Sequence, residues 1–270
     1  MKTTRRRIIA QALAAPFILT GGLAGPAHAT AATPRRLWDG IGSPVGMAFD
    51  AQGHLFVAEW GPGRISRFAP DGGREVFAEG LAGPSGLAIA PDGTIFVASY
   101  STDVIWRFSA DGVRGTHVTG LATPAGLSFD LAGRLMVANR RTNQILAVED
   151  GTLTPVIDDL RTPVGVVQTP DGGFVVSNIG GGVTILRPDG TRVEAGQEFR
   201  TPGPGVAMTK TGRVFVVDYG GTTVREILMD GGSKPLAGGL SSPVGLVVTP
   251  DETAVMTATW GEGAIFHIPL

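Results

Sequence analysis

Six polar residues recur along the chain at intervals of 39 to 41: Glu59, Ser99, Asn139, Asn178, Asp218 and Thr259. Each directly follows a short apolar run. Glu59 and Asp218 offer carboxylates, and Asn139 and Asn178 offer amide oxygens. Four donors of this kind suit a hard divalent cation, Ca²⁺ or Mg²⁺, or the polar groups of a small ligand. The same side chains suit a purely structural task, because Asn, Asp, Ser and Thr bond loop backbone wherever a strand ends. The next position around the repeat holds Trp60, Tyr100, Arg140, Ile179, Tyr219 and Trp260. Four of these six are aromatic in a chain that is 7 % aromatic, so the position is strongly selected by type. Large aromatics and an arginine on loop tips over a rigid scaffold are binding groups, or they pack one loop base on the next. We take Trp60, Tyr100, Arg140, Tyr219 and Trp260 as candidate ligand-binding residues, and Glu59, Asn139, Asn178 and Asp218 as candidate metal ligands.

Other chemistry is scarce. The chain has no cysteine, which excludes thiolate sites and disulfides. It has no Gly-x-Ser-x-Gly elbow, no phosphate-binding loop and no His-Glu-x-x-His. Gly180-Gly181-Gly182 precedes no helix and reads as a hairpin turn.

The elements that must position these residues come from an internal repeat. The glycines Gly46, Gly86, Gly126, Gly165, Gly205 and Gly245 are spaced by 40, 40, 39, 40 and 40 residues. Five follow a Pro-x pair and Gly205 follows Pro202-Gly203-Pro204; each is read as closing a turn. In the second repeat, short apolar or mixed runs lie at Leu87–Ala90, Ile95–Ala98, Val104–Phe108 and Gly115–Thr119, with Pro91-Asp92-Gly93 turning between the first two. Runs of four to six residues bounded by turn residues are strands. Four strands per ~40 residues is a propeller blade. The spacing predicts an all-β, six-bladed β-propeller of four-stranded blades, with repeats beginning near 41, 80, 120, 159, 197 and 239. The sixth repeat stops at Leu270 after three strands, and Arg35–Gly40 stands where a fourth strand stands one repeat later. The N-terminal strand is therefore expected to close the last blade, leaving no free edge.

Residues 1–29 read as a twin-arginine-type signal peptide, and residues 30–270 as a single propeller domain. Arg5-Arg6-Arg7-Ile8-Ile9 precedes a mildly apolar stretch, and Ala27-His28-Ala29 offers a cleavage site. Pro16, Gly21, Gly22 and Gly25 dilute the stretch below what a membrane-spanning helix needs. The expected address is periplasmic or secreted, with no stable membrane insertion after cleavage. Without those 29 residues the chain carries 18 basic and 24 acidic side chains, a net charge of −6. Such a surface repels phosphate backbones, so no nucleic-acid partner is expected.

Pro84-x-Gly86-Leu87-Ala88, Pro91-Asp92-Gly93, Phe96-Val97-Ala98 and Ile105-x-Arg107-Phe108-x-x-Asp111-Gly112, with their counterparts, carry a resemblance over nearly all of residues 34–270. The chain resembles the six-bladed propellers of the NHL-repeat, SMP-30/gluconolactonase and virginiamycin B (streptogramin) lyase group. The resemblance implies two kinds of metal chemistry. The lactonases hold a divalent cation with acidic and amide side chains, several at the middle of the Pro-x-Gly segment. Here that position holds Val45, Ser85, Ala125, Val164, Pro204 and Val244, so that centre is expected to be absent. The lyases place a histidine there, with glutamates nearby holding Mg²⁺. Here His54, His117 and His267 all lie elsewhere, although Glu59 ends its strand as the lyase glutamate does.

Two functions follow as expectations. One is an exported, monomeric propeller binding a small molecule, glycan or peptide on its top face. The alternative is a divalent-metal-dependent lyase or lactone hydrolase with its site rebuilt from Glu59, Asn139, Asn178 and Asp218. Export has its own test. Replacing Arg5 and Arg6 by lysine should leave full-length precursor in the cytoplasm on immunoblots of cell fractions. Normal export of that variant would assign the general secretory route.

Overall fold

The computed structural model describes residues 31–270; the proposed signal peptide lies outside the described residues. Six antiparallel four-stranded sheets follow one another around an axis. The innermost strands are Pro44–Phe49, Pro84–Ile89, Pro124–Phe129, Pro163–Gln168, Pro202–Met208 and Pro243–Val248. The second strands, Leu55–Glu59, Ile95–Ser99, Leu135–Asn139, Phe174–Asn178, Val214–Asp218 and Ala254–Thr259, run back beside them. Nearly every residue of these second strands is buried, since each lies between two neighbouring blades.

The Pro-x-Gly segment is not a turn. Each innermost strand begins at its proline, which pairs with the last residue of the second strand, as Pro44 does with Glu59 and Pro163 with Asn178. The pairing then shifts register across the x-Gly pair. A proline is tolerated here because it stands at the first position of the strand. The glycines have ordinary negative φ; they are needed for space. A Cβ built on Gly46, Gly86, Gly126, Gly165, Gly205 or Gly245 would lie closer than 3.0 Å to the main-chain oxygen of Ser85, Ala125, Val164, Pro204, Val244 or Val45, respectively. Each glycine thus meets the next blade backbone to backbone, and Gly245 against Val45 completes the circle.

Apolar contacts between blades fill the rest. Ala88, Ala98, Ile105 and Val118 of the second blade pack with Leu135, Val137, Leu146 and Val148 of the third. The join between the sixth and first blades is built in the same way, from Ala258 and Ile265 with Met47, Leu55, Val57 and Phe68. The N-terminal strand Arg35–Trp38 lies antiparallel on Ala264–Pro269, making the fourth strand of the sixth sheet. Its Trp38 ring sits 4.9 Å from Phe68 of the first blade. Farther upstream, Ala32 bridges to Ala237 on the outer strand of the fifth blade.

Two outcomes follow. Deleting residues 33–40 removes a paired strand and the Trp38 contact, and should lower the melting temperature markedly and promote aggregation; an unchanged melting curve would contradict this closure. Gly126→Ala forces a methyl into main chain that has nowhere to go. It should cost about 3 kcal/mol, a fall in melting temperature on the order of 10 °C for a chain of this size.

Candidate functional site

At the end of the axis where the innermost strands begin, the structure has a cavity of about 300 Å³. Two rings of six residues line it. The floor is Val45, Ser85, Ala125, Val164, Pro204 and Val244, the middle residues of the Pro-x-Gly segments. The wall is Trp60, Tyr100, Arg140, Ile179, Tyr219 and Trp260, the residues just after the second strands. All five candidate ligand-binding residues are thus brought together. The floor residues and Ile179 complete the cavity; their 40-residue spacing was the available signal, but it does not say which way a side chain points.

The wall is held by its backbone. The N–H groups of Trp60, Tyr100, Arg140, Ile179 and Trp260 donate to the carbonyls of Ser43, Gly83, Thr123, Thr162 and Ser242, each the residue before a strand-opening proline. Those five residues all have positive φ, between 51° and 60°. For Thr123 and Thr162, which are β-branched, this conformation is strained. The strain is offset because the turned carbonyl satisfies the wall residue. The wall side chains also touch one another. Trp60 meets Tyr100 edge-on with centroids 4.7 Å apart, and Tyr219 meets Trp260 at 5.6 Å. The Trp260 Nε1–H donates to Pro44 O at 2.9 Å, tying the sixth blade to the first. Arg140 stacks on Tyr100, 5.2 Å from the ring centroid, and its Nη1 donates to the Tyr100 hydroxyl. The aromatics therefore both pack and line the cavity.

The four candidate metal ligands do not line it, which corrects the expectation of a polar ring facing the axis. Their side chains turn back into the blades. Glu59, Asn139, Asn178 and Asp218 each accept from a main-chain N–H 17 residues earlier, on Gly42, Ala122, Arg161 and Thr201, at 2.7, 2.7, 3.3 and 3.0 Å. Asp218 also takes the Arg200 N–H. Asn178 donates to Thr184, and Asn139 to Thr142. Ser99 bonds Ala82 O, again 17 residues earlier. The physical reason is alternation: successive residues of an extended chain point to opposite sides. Where Trp60 faces the cavity, Glu59 cannot. Among the described residues, no three His, Asp or Glu side chains are grouped to hold a metal ion. The histidines are elsewhere too: the His54 Nδ1 pairs with Asp50 Oδ2 at 2.8 Å, and His117 lies edge-on to Phe96.

The shape invites comparison with known propellers. A gluconolactonase from Xanthomonas campestris superimposes with a TM-score of 0.77 at 19 % identity, over 87 % of this chain and 88 % of that one. A streptogramin B lyase gives 0.65 at 18 %, over 83 % and 78 %. A nidogen/laminin complex gives 0.70 at 19 %, over 80 % and 89 %. The sequence matches no family profile and no curated protein. At these identities the likeness is one of fold: the chain shares the six-bladed propeller of lactonase, lyase and NHL-type proteins.

The resemblance read from the sequence implies a divalent cation on the axis, and the residues lining this cavity do not fit one. The floor supplies a single hydroxyl, Ser85, and its Oγ is turned to the carbonyls of Ala98 and Pro124 at 3.2 and 3.0 Å. The one charged group in the lining, Arg140, is a cation and repels another.

Glu59 holds the first blade together instead. It is fully buried. Burial alone would raise its pKa, but hydrogen bonds from Arg64, Ser66 and Gly42, with the Arg74 charge, outweigh this and hold it below the ordinary glutamate value. Arg74 also donates to the carbonyls of Asp39 and Gly40, so this cluster anchors the N-terminal strand. A depressed carboxylate contributes stability that is complete above the ordinary value, about 4.3, and is lost as pH falls through the folded value. Glu59→Gln should cost about 2 kcal/mol at neutral pH, less than a fully buried pair because both arginines reach solvent. The difference in denaturation midpoint between parent and variant should shrink in acid. A difference constant from pH 7 to pH 3 would contradict it.

Proposed function

We propose that this chain is a ligand-binding propeller whose site is the axial cavity, and that it takes a small molecule with a flat apolar body, or one such residue of a glycan or peptide. The observation that carries this reading is the twelve-residue lining. A cavity of about 300 Å³ with an aliphatic floor, four aromatic rings and one polar anchor has the character of a small-molecule site. Aromatic rings contribute the apolar area, and their edge-on neighbours hold them in place before the ligand arrives, so little ordering cost remains. On this reading the protein acts in the periplasm or outside the cell, as its first 29 residues suggest, and it acts as a monomer.

A second reading, a metal-assisted lyase or lactonase, is favoured by the fold shared with such enzymes. It needs oxygen donors at the axis, and the donors read from the sequence are engaged within their own blades.

Calorimetric titration with 2-naphthamide, a neutral flat bicycle, separates these readings from a structural role. Saturable one-to-one binding is expected, and Ile179→Trp, which fills the cavity while leaving the four aromatic rings and Arg140 in place, should abolish it. Absent binding, or binding that survives Ile179→Trp, would reject the axial site. Saturating Ca²⁺, Mg²⁺ or Mn²⁺ should leave the melting temperature unchanged. A cation at a hundred times its dissociation constant would contribute about 2.7 kcal/mol, so a rise of several degrees reversed by EDTA would favour the enzyme.

A further inference from the structure

The lining of the axial cavity is polarised. Its aromatic rings come from the fifth, sixth, first and second blades, as Tyr219, Trp260, Trp60 and Tyr100. The third and fourth blades contribute Arg140 and Ile179 instead. Arg140 is the only charged residue in the lining, and it has no carboxylate partner among the ion pairs of the described residues. Its Nη1 is taken by the Tyr100 hydroxyl, and its stack on that ring fixes the plane of the guanidinium. Its Nε is buried and has no hydrogen-bond partner. Being enclosed, Nε is out of a ligand's reach, so the donor the guanidinium leaves to the cavity is Nη2.

The acidic side chains of the wall loops are already engaged; Glu79 and Asp159, which enter no ion pair, stand just past the outer fourth strands Arg74–Ala78 and Thr152–Ile157. Glu59 is held by Arg64 and Arg74, Asp218 by two main-chain N–H groups, Asp103 by the Thr123 N–H, and Glu262 by Arg36. The basic side chains of the same sector are not. Arg141, Arg161 and Arg200 are exposed and enter no ion pair. The main-chain N–H groups of Arg161 and Arg200 are held by Asn178 and Asp218 at the ends of second strands, which places both on this face. The mouth therefore has an aromatic arc and a basic arc.

We propose that the ligand carries a carboxylate and that Arg140 receives it through its Nη2, with the flat apolar body lying toward the Trp60, Tyr219 and Trp260 side. This rests on the axial cavity being a binding site, as argued above. The choice of carboxylate over a rounder anion follows from the lining. With Nη1 committed to Tyr100 and Nε enclosed, one donor faces the ligand, and the further oxygens of a sulfonate or phosphate would meet an apolar and aromatic lining with nothing to pair them. Arg141, Arg161 and Arg200 raise the local positive potential and orient the incoming acid.

The test compares four probes of one shape by calorimetry at fixed ionic strength: 2-naphthoate, naphthalene-2-sulfonate, 2-naphthyl phosphate and 2-naphthamide. The parent protein should bind the carboxylate at least about tenfold more tightly than the amide, as a charge-assisted pair would give, and more tightly than the sulfonate or phosphate. Arg140→Gln should bring the carboxylate down to the affinity of the amide and leave the amide unchanged. Arg140→Lys, which keeps charge but loses the planar guanidinium held against Tyr100, should fall between. Equal binding of carboxylate and amide by the parent would overturn this inference and leave the apolar cavity standing as the site. A preference for sulfonate or phosphate would overturn the carboxylate assignment. Binding of none of the probes would overturn both the inference and the cavity reading. The comparison on the parent protein needs no variant to fold.

Discussion

Six main-chain contacts around the axis govern this structure. Each innermost strand lies so close to the next that only glycine fits at Gly46, Gly86, Gly126, Gly165, Gly205 and Gly245. The oxygen met by each glycine belongs to the residue that forms the cavity floor on the neighbouring blade. One constraint therefore sets both the radius of the ring and the position of Val45, Ser85, Ala125, Val164, Pro204 and Val244. The constraint is on backbone, so the floor side chains can be of any type that fits. That freedom lets the same architecture carry different linings in different proteins.

The wall obeys a second backbone rule. In every blade but the fifth, a residue turned to positive φ ahead of the innermost strand presents its carbonyl to the wall residue, and in every blade but the sixth a polar side chain one position before the wall residue accepts from or donates to the same loop. The loop is thus satisfied from two sides, and the wall side chains carry no hydrogen bond except at Trp260 and between Arg140 and Tyr100. What the cavity binds is decided by side chains that the fold leaves free. In this chain they are mostly rings, with one guanidinium whose Nε lacks a partner.

The propeller was legible because its period is written in glycines, prolines and aspartates that local backbone geometry demands. Strand positions in the second repeat were close: Val104–Phe108 is a strand over the same residues, while the innermost strand starts at Pro84 and not after Gly86. That difference arises because a Pro-x-Gly segment reads as a turn when the partner blade is unseen; the glycine answers a contact about 40 residues away. The cavity wall was visible as a run of aromatics at one register. Its separation from the polar ring was not. Glu59 and Trp60, or Asp218 and Tyr219, are adjacent in sequence and equally periodic, and period alone does not say which of two alternating side chains faces the axis. The pairing of Glu59 with Arg64 and Arg74 across the first blade was likewise out of reach, since it depends on which strands lie side by side.

A crystal structure of the protein grown with 2-naphthoate tests the central claim most directly. The account places the bicycle in the axial cavity among Trp60, Tyr100, Tyr219 and Trp260, with a carboxylate oxygen within hydrogen-bond distance of Arg140 Nη2. Density for the compound at the opposite end of the axis or between blades, with the axial cavity holding only solvent, would contradict it.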